Sequence, residues 1–97
     1  MIAGNHDLSL DQNYCKQQKT TVGLPKIKYD PEAATKIMKC GDIIYLLDEE
    51  VELLGYKIFG SPFSAAFGGW AFALERTQAY DYYQKIPQDT DILITHG

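Results

Sequence analysis

The chain has 97 residues, 45% of them hydrophobic, so one globular unit with a small core is the largest organisation it can support. Lys and Arg number 9 against 13 Asp and Glu, which gives a formal charge of -4 with the basic residues scattered along the chain. Affinity for nucleic acid depends on clustered basic residues, so generic nucleic-acid binding is not expected. No apolar run approaches the roughly 18 residues of a membrane span, so no membrane partner is expected.

The two cysteines, Cys15 and Cys40, lack the spacing of zinc ligands or of a Cys-x-x-Cys redox motif. Nothing that resembles a signal peptide precedes them. They could pair in a secreted protein, but the pattern favours reduced thiols and a cytoplasmic location.

The first chemical motif follows the apolar residues 1–3, where the chain continues as Gly4-Asn5-His6-Asp7. An apolar run that ends in glycine and in metal-compatible side chains predicts a buried strand that leads into a loop. Taken alone, Asn5 is most simply a turn residue and His6 a loop histidine.

Residues 8–21 are mostly polar, with apolar positions whose spacing permits a short helix. Residues 22–25 end it, since proline lacks the amide donor and disfavours helical backbone in the residue before it. A second helix is predicted from Pro31 to about Lys39. Asp30 suits its N-cap, and proline suits the first helical position.

Three short β-prone runs follow, at residues 43–47, 51–54 and 56–59, and they predict an antiparallel meander. Within the last two runs apolar and charged residues alternate, which predicts one buried and one solvated face. The acidic residues 48–50 are interpreted as a solvated turn in preference to a metal site.

The stretch of residues 60–72 places large aromatic rings among glycines and a proline. Two interpretations stay open. In the first, the rings pack against the edge of the core beneath a long loop. In the second, some of them line a substrate pocket beside a metal site and stack on a base or another flat apolar group. In the second case Trp70 is the first candidate and Phe63 the second.

The last part of the chain predicts a helix over residues 75–85, ending before Pro87, and a core strand over residues 92–95 followed by His96. The tyrosines of this helix are expected in a core or an interface. Ligands of open α/β sheets bind beyond the carboxyl ends of the strands. The two strand-end histidines, His6 and His96, are therefore expected to share one site.

Three motifs together resemble the calcineurin-like metallophosphoesterase superfamily: Gly-Asn-His-Asp at residues 4–7, Gly-Ser-Pro-Phe at 60–63 and Ile-Thr-His-Gly at 94–97. The aromatic loop and the closing histidine resemble more narrowly its metallophosphoesterase-domain-containing (MPPED) branch. The implied fold class is α/β, a partial calcineurin-like sandwich of mixed β-sheets flanked by helices. Residues 1–97 would then be the central fragment of a single metallophosphoesterase domain, truncated at both ends.

The resemblance also implies what the chain lacks. The two-metal centre of this family takes further ligands from Asp-x-His and Gly-Asp motifs before residue 4 and from a Gly-His-x-His motif after residue 97, and none of these occurs here. The isolated chain is therefore expected to have little or no activity. Unpaired strand edges predict poor stability alone and association with other chains, and the oligomeric state stays open.

By the same resemblance, Asn5 and His96 are metal ligands, since an amide oxygen and a neutral imidazole nitrogen both coordinate divalent ions. His6 is the catalytic imidazole that faces the substrate phosphate, as a general acid or as a charge-stabilising donor. Asp7 is not expected to touch the metal, but either to orient the loop or to cap the segment that follows it.

In the complete domain the resemblance implies two divalent ions, of manganese, iron, zinc or magnesium, which activate water for in-line attack on phosphorus. The expected partner is a small phosphodiester or nucleotide substrate, with cyclic nucleotides as the leading class. A protein phosphatase is the weaker enzymatic alternative. The competing class of function is a non-catalytic binding or scaffold module with an incomplete metal site.

Overall fold

The structure is a computed structural model that describes residues 1–18 and 30–97. Its helices are α1 at Gln12–Gln18, α2 at Pro31–Met38 and α3 at Arg76–Tyr83, with a 3₁₀ turn at Leu8–Leu10 ahead of α1. Its strands are β1 at Glu49–Leu53, β2 at Tyr56–Ser61, β3 at Ser64–Ala65, β4 at Ala73–Leu74 and β5 at Ile92–Thr95. The predicted helix break at residues 22–25 lies outside the described residues. Within them, no helix is long and apolar enough to cross a membrane.

Helix α2 forms where the sequence predicts it, because its first turn is capped locally. The Asp30 carboxylate accepts from the Ala33 amide at 3.1 Å, and Pro31 begins the helix. The Lys39 amide donates to carbonyls of the last turn and closes the other end. Helix α3 lies within the predicted residues 75–85. Both helix predictions are confirmed.

Strand β2 is the centre of a three-stranded mixed sheet with β1 and β5 on either side. It pairs antiparallel with β1 and parallel with β5, where Gly60 faces Ile94. The β1–β2 hairpin turns at Leu54 and Gly55, whose φ angles of 53° and 81° suit a tight hairpin with two left-handed residues. Strands β3 and β4 form a separate parallel pair. The predicted α/β class with an antiparallel insertion is confirmed.

The strands predicted at residues 1–3 and 43–47 do not form. The two segments run beside each other, with hydrogen bonds from the terminal amine to the Ile44 carbonyl at 2.7 Å and from the Leu46 amide to the first carbonyl of the chain at 2.8 Å. This contact is too short to build a regular ladder. The predicted meander is therefore a two-stranded hairpin preceded by an extended segment.

The acidic residues 48–50 do not make a turn as a unit. Asp48 turns the chain with a φ of 51°, whereas Glu49 and Glu50 already lie on β1. All three side chains are exposed. They are thus solvated as expected, although two of them belong to a strand.

Strand β5 differs from the predicted core strand in its burial. Within the described residues it pairs along one edge only, with β2. Ile92 and Leu93 consequently remain 44% and 48% exposed. The strand was predicted correctly but its burial was not, because a parallel strand is buried only when other layers cover both its faces.

The buried core joins the N-terminal segment to the aromatic loop, and its members are Ala3, Leu10, Tyr45, Ala71 and Phe72. Helix α3 lies outside this core and buries none of its residues. Of its tyrosines, Tyr82 is half-buried and Tyr80 is 74% exposed. These tyrosines are therefore not part of the core, and the alternative that they lie in an interface stays a prediction.

Candidate metal centre

Asn5 and His96 are in contact although 91 residues separate them in the sequence. Asn5 lies in the loop after residues 1–3, and His96 directly follows β5. The Nε2 of His96 and the Oδ1 of Asn5 are 2.9 Å apart. Because an amide oxygen only accepts, the imidazole donates in this pair. The structure thus brings the two candidate metal ligands together.

Gly4 leaves the space that the His96 ring occupies. A Cβ at position 4 would lie 3.0 Å from the Cε1 of His96 and 3.2 Å from each of its ring nitrogens. These separations are tighter than ordinary van der Waals contact. The imidazole therefore lies directly against the Gly4 backbone, and a side chain there would push it away.

Asp7 closes the loop that carries Asn5 and His6. The Gly4 amide donates to the Oδ2 of Asp7 at 2.7 Å, and the Asp7 amide donates back to the Gly4 carbonyl at 3.0 Å. This reciprocal bond spans four residues and restricts the backbone between them. Asp7 thus orients the loop through backbone contacts.

His6 lies on the exposed side of the loop, against Trp70. The two ring centroids are 4.4 Å apart and the ring planes are inclined by 34°. His6 is exposed, and Trp70 is 37% exposed. His6 and His96 therefore have different neighbours, since His96 contacts Asn5 and His6 contacts an indole.

Phe63 belongs to an aromatic cluster at the base of the loop. Its ring centroid lies 5.5 Å from that of Phe72, edge to face, and 5.0 Å from that of Tyr82. The side chain is half-buried. These contacts favour the packing interpretation for Phe63.

Two hydrogen bonds attach the aromatic loop to the loop that carries Asn5. The Ala71 amide donates to the Asn5 carbonyl at 3.1 Å. The Phe72 amide donates to the Oδ2 of Asp11 at 2.7 Å. Asp11 is only 8% exposed, and its other oxygen accepts from two amides at the start of α1.

Sequence reasoning missed Asp11. Its position one residue before α1 was an available signal, because aspartate is a preferred N-cap. The bond to Phe72, 61 residues away, had no counterpart in the sequence pattern. Asp11 therefore links the helix start to the aromatic loop.

A second polar cluster lies between β2 and α3. Ser61 is fully buried, with its Oγ 3.2 Å from the Tyr82 hydroxyl. Burial, and to a smaller extent the Asp48 carboxylate, raise the pKa of Tyr82 above its ordinary value of 10.0. Burial also raises the pKa of Tyr45.

The Asn5–His96 pair fits part of a divalent-metal site. Two ligand atoms that each lie about 2.1 Å from the same ion, at right angles to each other, are about 3 Å apart. The Oδ1 of Asn5 and the Nε2 of His96 are 2.9 Å apart. Two neutral donors do not enclose an ion. The described residues contain no group of three or more His, Cys, Asp and Glu side chains placed to hold a metal. The pair is therefore suited to be one part of a larger ligand set.

No family model matches the chain. The chain is 39% identical over 102 residues to metallophosphoesterase domain-containing protein 1 of Homo sapiens and of Mus musculus, in matches that cover 100% of this chain and 31% of each relative. It is also 35% identical over 102 residues to the probable rhamnogalacturonate lyase C of Emericella nidulans, covering 100% of this chain and 8% of that protein. The chain thus spans about a third of the length of the mammalian relatives.

The fold is a mixed α/β arrangement in which the two candidate metal ligands, Asn5 and His96, are in contact. Similarity along its whole length shows that it is a relative of the metallophosphoesterase domain-containing proteins. The resemblance drawn from the three motifs is confirmed. The mixed sheets and flanking helices are consistent with part of a calcineurin-like fold.

Proposed function

We propose that the chain forms part of a metal-dependent phosphoesterase that hydrolyses small phosphodiesters, with cyclic nucleotides as the leading substrate class. The observation that supports this proposal is the 2.9 Å contact between the Asn5 Oδ1 and the His96 Nε2, which unites two candidate ligands from distant parts of the sequence. The similarity to the metallophosphoesterase domain-containing proteins supports the same class of chemistry. On this proposal the remaining metal ligands are not supplied by the 97 residues themselves.

Asn5 and His96 would hold a divalent ion of manganese, iron, zinc or magnesium through one oxygen and one nitrogen donor. When bound, such an ion polarises the phosphoryl oxygen of the substrate. The Asn5 amide adds no negative charge, which leaves the ion a stronger Lewis acid. The Gly4 backbone lies against the His96 ring and would limit its movement, while an ion bound to Nε2 would take the place of the hydrogen bond that this nitrogen donates to Asn5.

His6 would face the substrate phosphate and give a proton, or donate a hydrogen bond, to the leaving oxygen. Its side chain is exposed and follows Asn5 directly in the sequence, which would leave it open to a substrate. Trp70 contacts the same imidazole. Phe63 is the weaker candidate for substrate contact, because its ring packs within the aromatic cluster.

The proposed compartment is the cytoplasm, where the thiols of Cys15 and Cys40 stay reduced. Cys15 is buried and its Sγ lies 3.4 Å from the Leu8 carbonyl, whereas Cys40 is exposed.

The test is hydrolysis of bis(p-nitrophenyl) phosphate in the presence of Mn²⁺. The 97-residue chain is compared with a longer form that is extended on both sides by segments carrying the family's Asp-x-His, Gly-Asp and Gly-His-x-His motifs. Each form is also made as His96→Ala, with Lys36→Ala on the exposed side of α2 as a matched surface control. Circular dichroism confirms that every form is folded.

We expect activity in the longer form only, lost on His96→Ala and retained on Lys36→Ala. Activity in the 97-residue chain would show that its ligand set is complete, for example through a site shared by two copies. A folded but inactive longer form would contradict the proposal and favour the binding or scaffold module.

A further inference from the structure

The His6 imidazole is in contact with the only tryptophan of the chain. Its centroid lies 4.4 Å from that of Trp70, with the two planes inclined by 34°. At this distance the rings are in van der Waals contact. His6 is otherwise exposed on a short loop, so the indole is a fixed surface against which its ring can be held.

A glycine turn supports the indole from another direction. A Cβ on Gly68 would lie 2.8 Å from the Trp70 Nε1 and 3.0 Å from its Cδ1, so the turn backbone lies against the pyrrole part of the ring. Gly68 and Gly69 have φ angles of 64° and 70°, which favour glycine at both positions. At Gly69, in contrast, an added Cβ would meet nothing within 4 Å. Only Gly68 is needed for the indole to occupy its place.

The backbone directly after Trp70 is anchored to the loop that carries His6. The Ala71 amide donates to the Asn5 carbonyl at 3.1 Å, and the Phe72 amide donates to the buried Asp11 carboxylate at 2.7 Å. Ala71 and Phe72 are 1% and 2% exposed. The two loops are thus joined next to the ring pair, which fixes where the indole stands relative to His6.

We propose that Trp70 is a positioning residue for His6, holding the imidazole in one orientation on the loop that also carries Asn5. The indole is itself held by the Gly68 turn and by the anchored residues that follow it. This assigns Trp70 a role different from stacking on a substrate base, since the part of the indole that contacts His6 is already occupied. The catalytic meaning of this role rests on the proposed function, whereas the ring contact does not.

The first experiment detects the contact between the His6 and Trp70 rings by spectroscopy and does not depend on enzymatic activity. The chain contains two histidines and one tryptophan, so the imidazole proton resonances and the tryptophan fluorescence are assigned by single substitutions. We expect Trp70→Ala to shift the His6 ring protons by removing the ring current of the indole, with a smaller change at His96. We expect His6→Ala to change the emission of Trp70, and His96→Ala to leave it nearly unchanged.

Gly68→Ala and Gly69→Ala form a matched pair for the support of the indole. Both place alanine at a left-handed φ, but only the Gly68 substitution adds a methyl group against Trp70. Gly68→Ala is therefore expected to change the emission of Trp70 and the His6 resonances, and Gly69→Ala to change neither. Equal effects of the two substitutions, or a His6 spectrum insensitive to Trp70→Ala in a folded chain, would overturn the inference.

The kinetic experiment uses the longer form described above. If Trp70 positions His6, Trp70→Ala lowers kcat about 10- to 100-fold with little change in KM, and Trp70→Phe restores most of the rate. A rise in KM with kcat unchanged would show instead that Trp70 stacks on the substrate, and would overturn the positioning role. If the longer form is inactive, the proposed function fails, and the spectroscopic experiment still decides whether Trp70 holds His6.

Discussion

Replacing Gly4 by alanine tests whether the open backbone at this position keeps His96 on Asn5. The added Cβ would lie 3.0 Å from the His96 Cε1, which is shorter than an ordinary van der Waals contact. The imidazole ring must therefore move by a few tenths of an ångström to accommodate it. The φ of Gly4 is outside the left-handed region, so alanine brings no backbone strain of that kind. The substitution therefore acts through one steric contact.

Two opposing terms set the size of the effect of Gly4→Ala on stability. Displacing His96 weakens its 2.9 Å hydrogen bond to Asn5, and such a bond contributes about 0.5–1.5 kcal/mol net. Alanine also restricts the unfolded chain, which stabilises the fold by about 0.4–1 kcal/mol. Because the terms are of similar size, the free energy of unfolding should change by less than about 1 kcal/mol.

A double-mutant cycle separates the two terms. In the His96→Ala background the steric contact is gone, and Gly4→Ala should stabilise the chain by about 0.4–1 kcal/mol. Urea unfolding measures both backgrounds, and Gly97→Ala, whose Cβ would meet nothing within 4 Å, is the control. The same effect of Gly4→Ala with and without the imidazole would refute the claim that His96 lies against Gly4.

Two further predictions concern buried polar groups. Asp11→Asn should lower the free energy of unfolding by about 1–3 kcal/mol, because the buried Phe72 amide loses its acceptor when an amide group faces it. Asp30→Asn at the exposed cap of α2 is the control, and it should change the free energy of unfolding little, since asparagine caps equally well. If urea unfolding showed that Asp11→Asn and Asp30→Asn lower the free energy of unfolding by the same amount, the Asp11 contact would be contradicted. For Tyr82, whose pKa is raised by burial, the folded chain holds the phenol proton more tightly than the unfolded chain. Its contribution to stability is therefore complete below about pH 10 and is lost as the pH rises further. Tyr82→Phe should therefore reduce the loss of stability above about pH 10, which is measured as the free energy of unfolding at a series of pH values. The same pH dependence in Tyr82→Phe and in the unmodified chain would contradict the burial of the phenol.

The sequence by itself determined the elements whose signals are local. The start of α2 depends on an aspartate and a proline that stand next to each other, at Asp30 and Pro31. The β1–β2 hairpin follows from alternation in two neighbouring runs around Gly55. The helix within residues 75–85 and the strand at residues 92–95 were likewise visible as short periodic runs. The three motifs were enough to indicate the family. At the start of α2 and in the β1–β2 hairpin, the interactions that matter join residues only a few positions apart.

Only the tertiary structure decided which of these residues meet. It placed His96 on Asn5 across 91 positions, joined Asp11 to the aromatic loop and brought Trp70, which is 37% exposed, into contact with His6. It also left β5 at the edge of its sheet, where a core strand was predicted. A sequence pattern records which face of an element is apolar, but burial and ring contacts depend on what packs against that face. Those neighbours come from distant parts of the chain and are fixed only when the elements assemble.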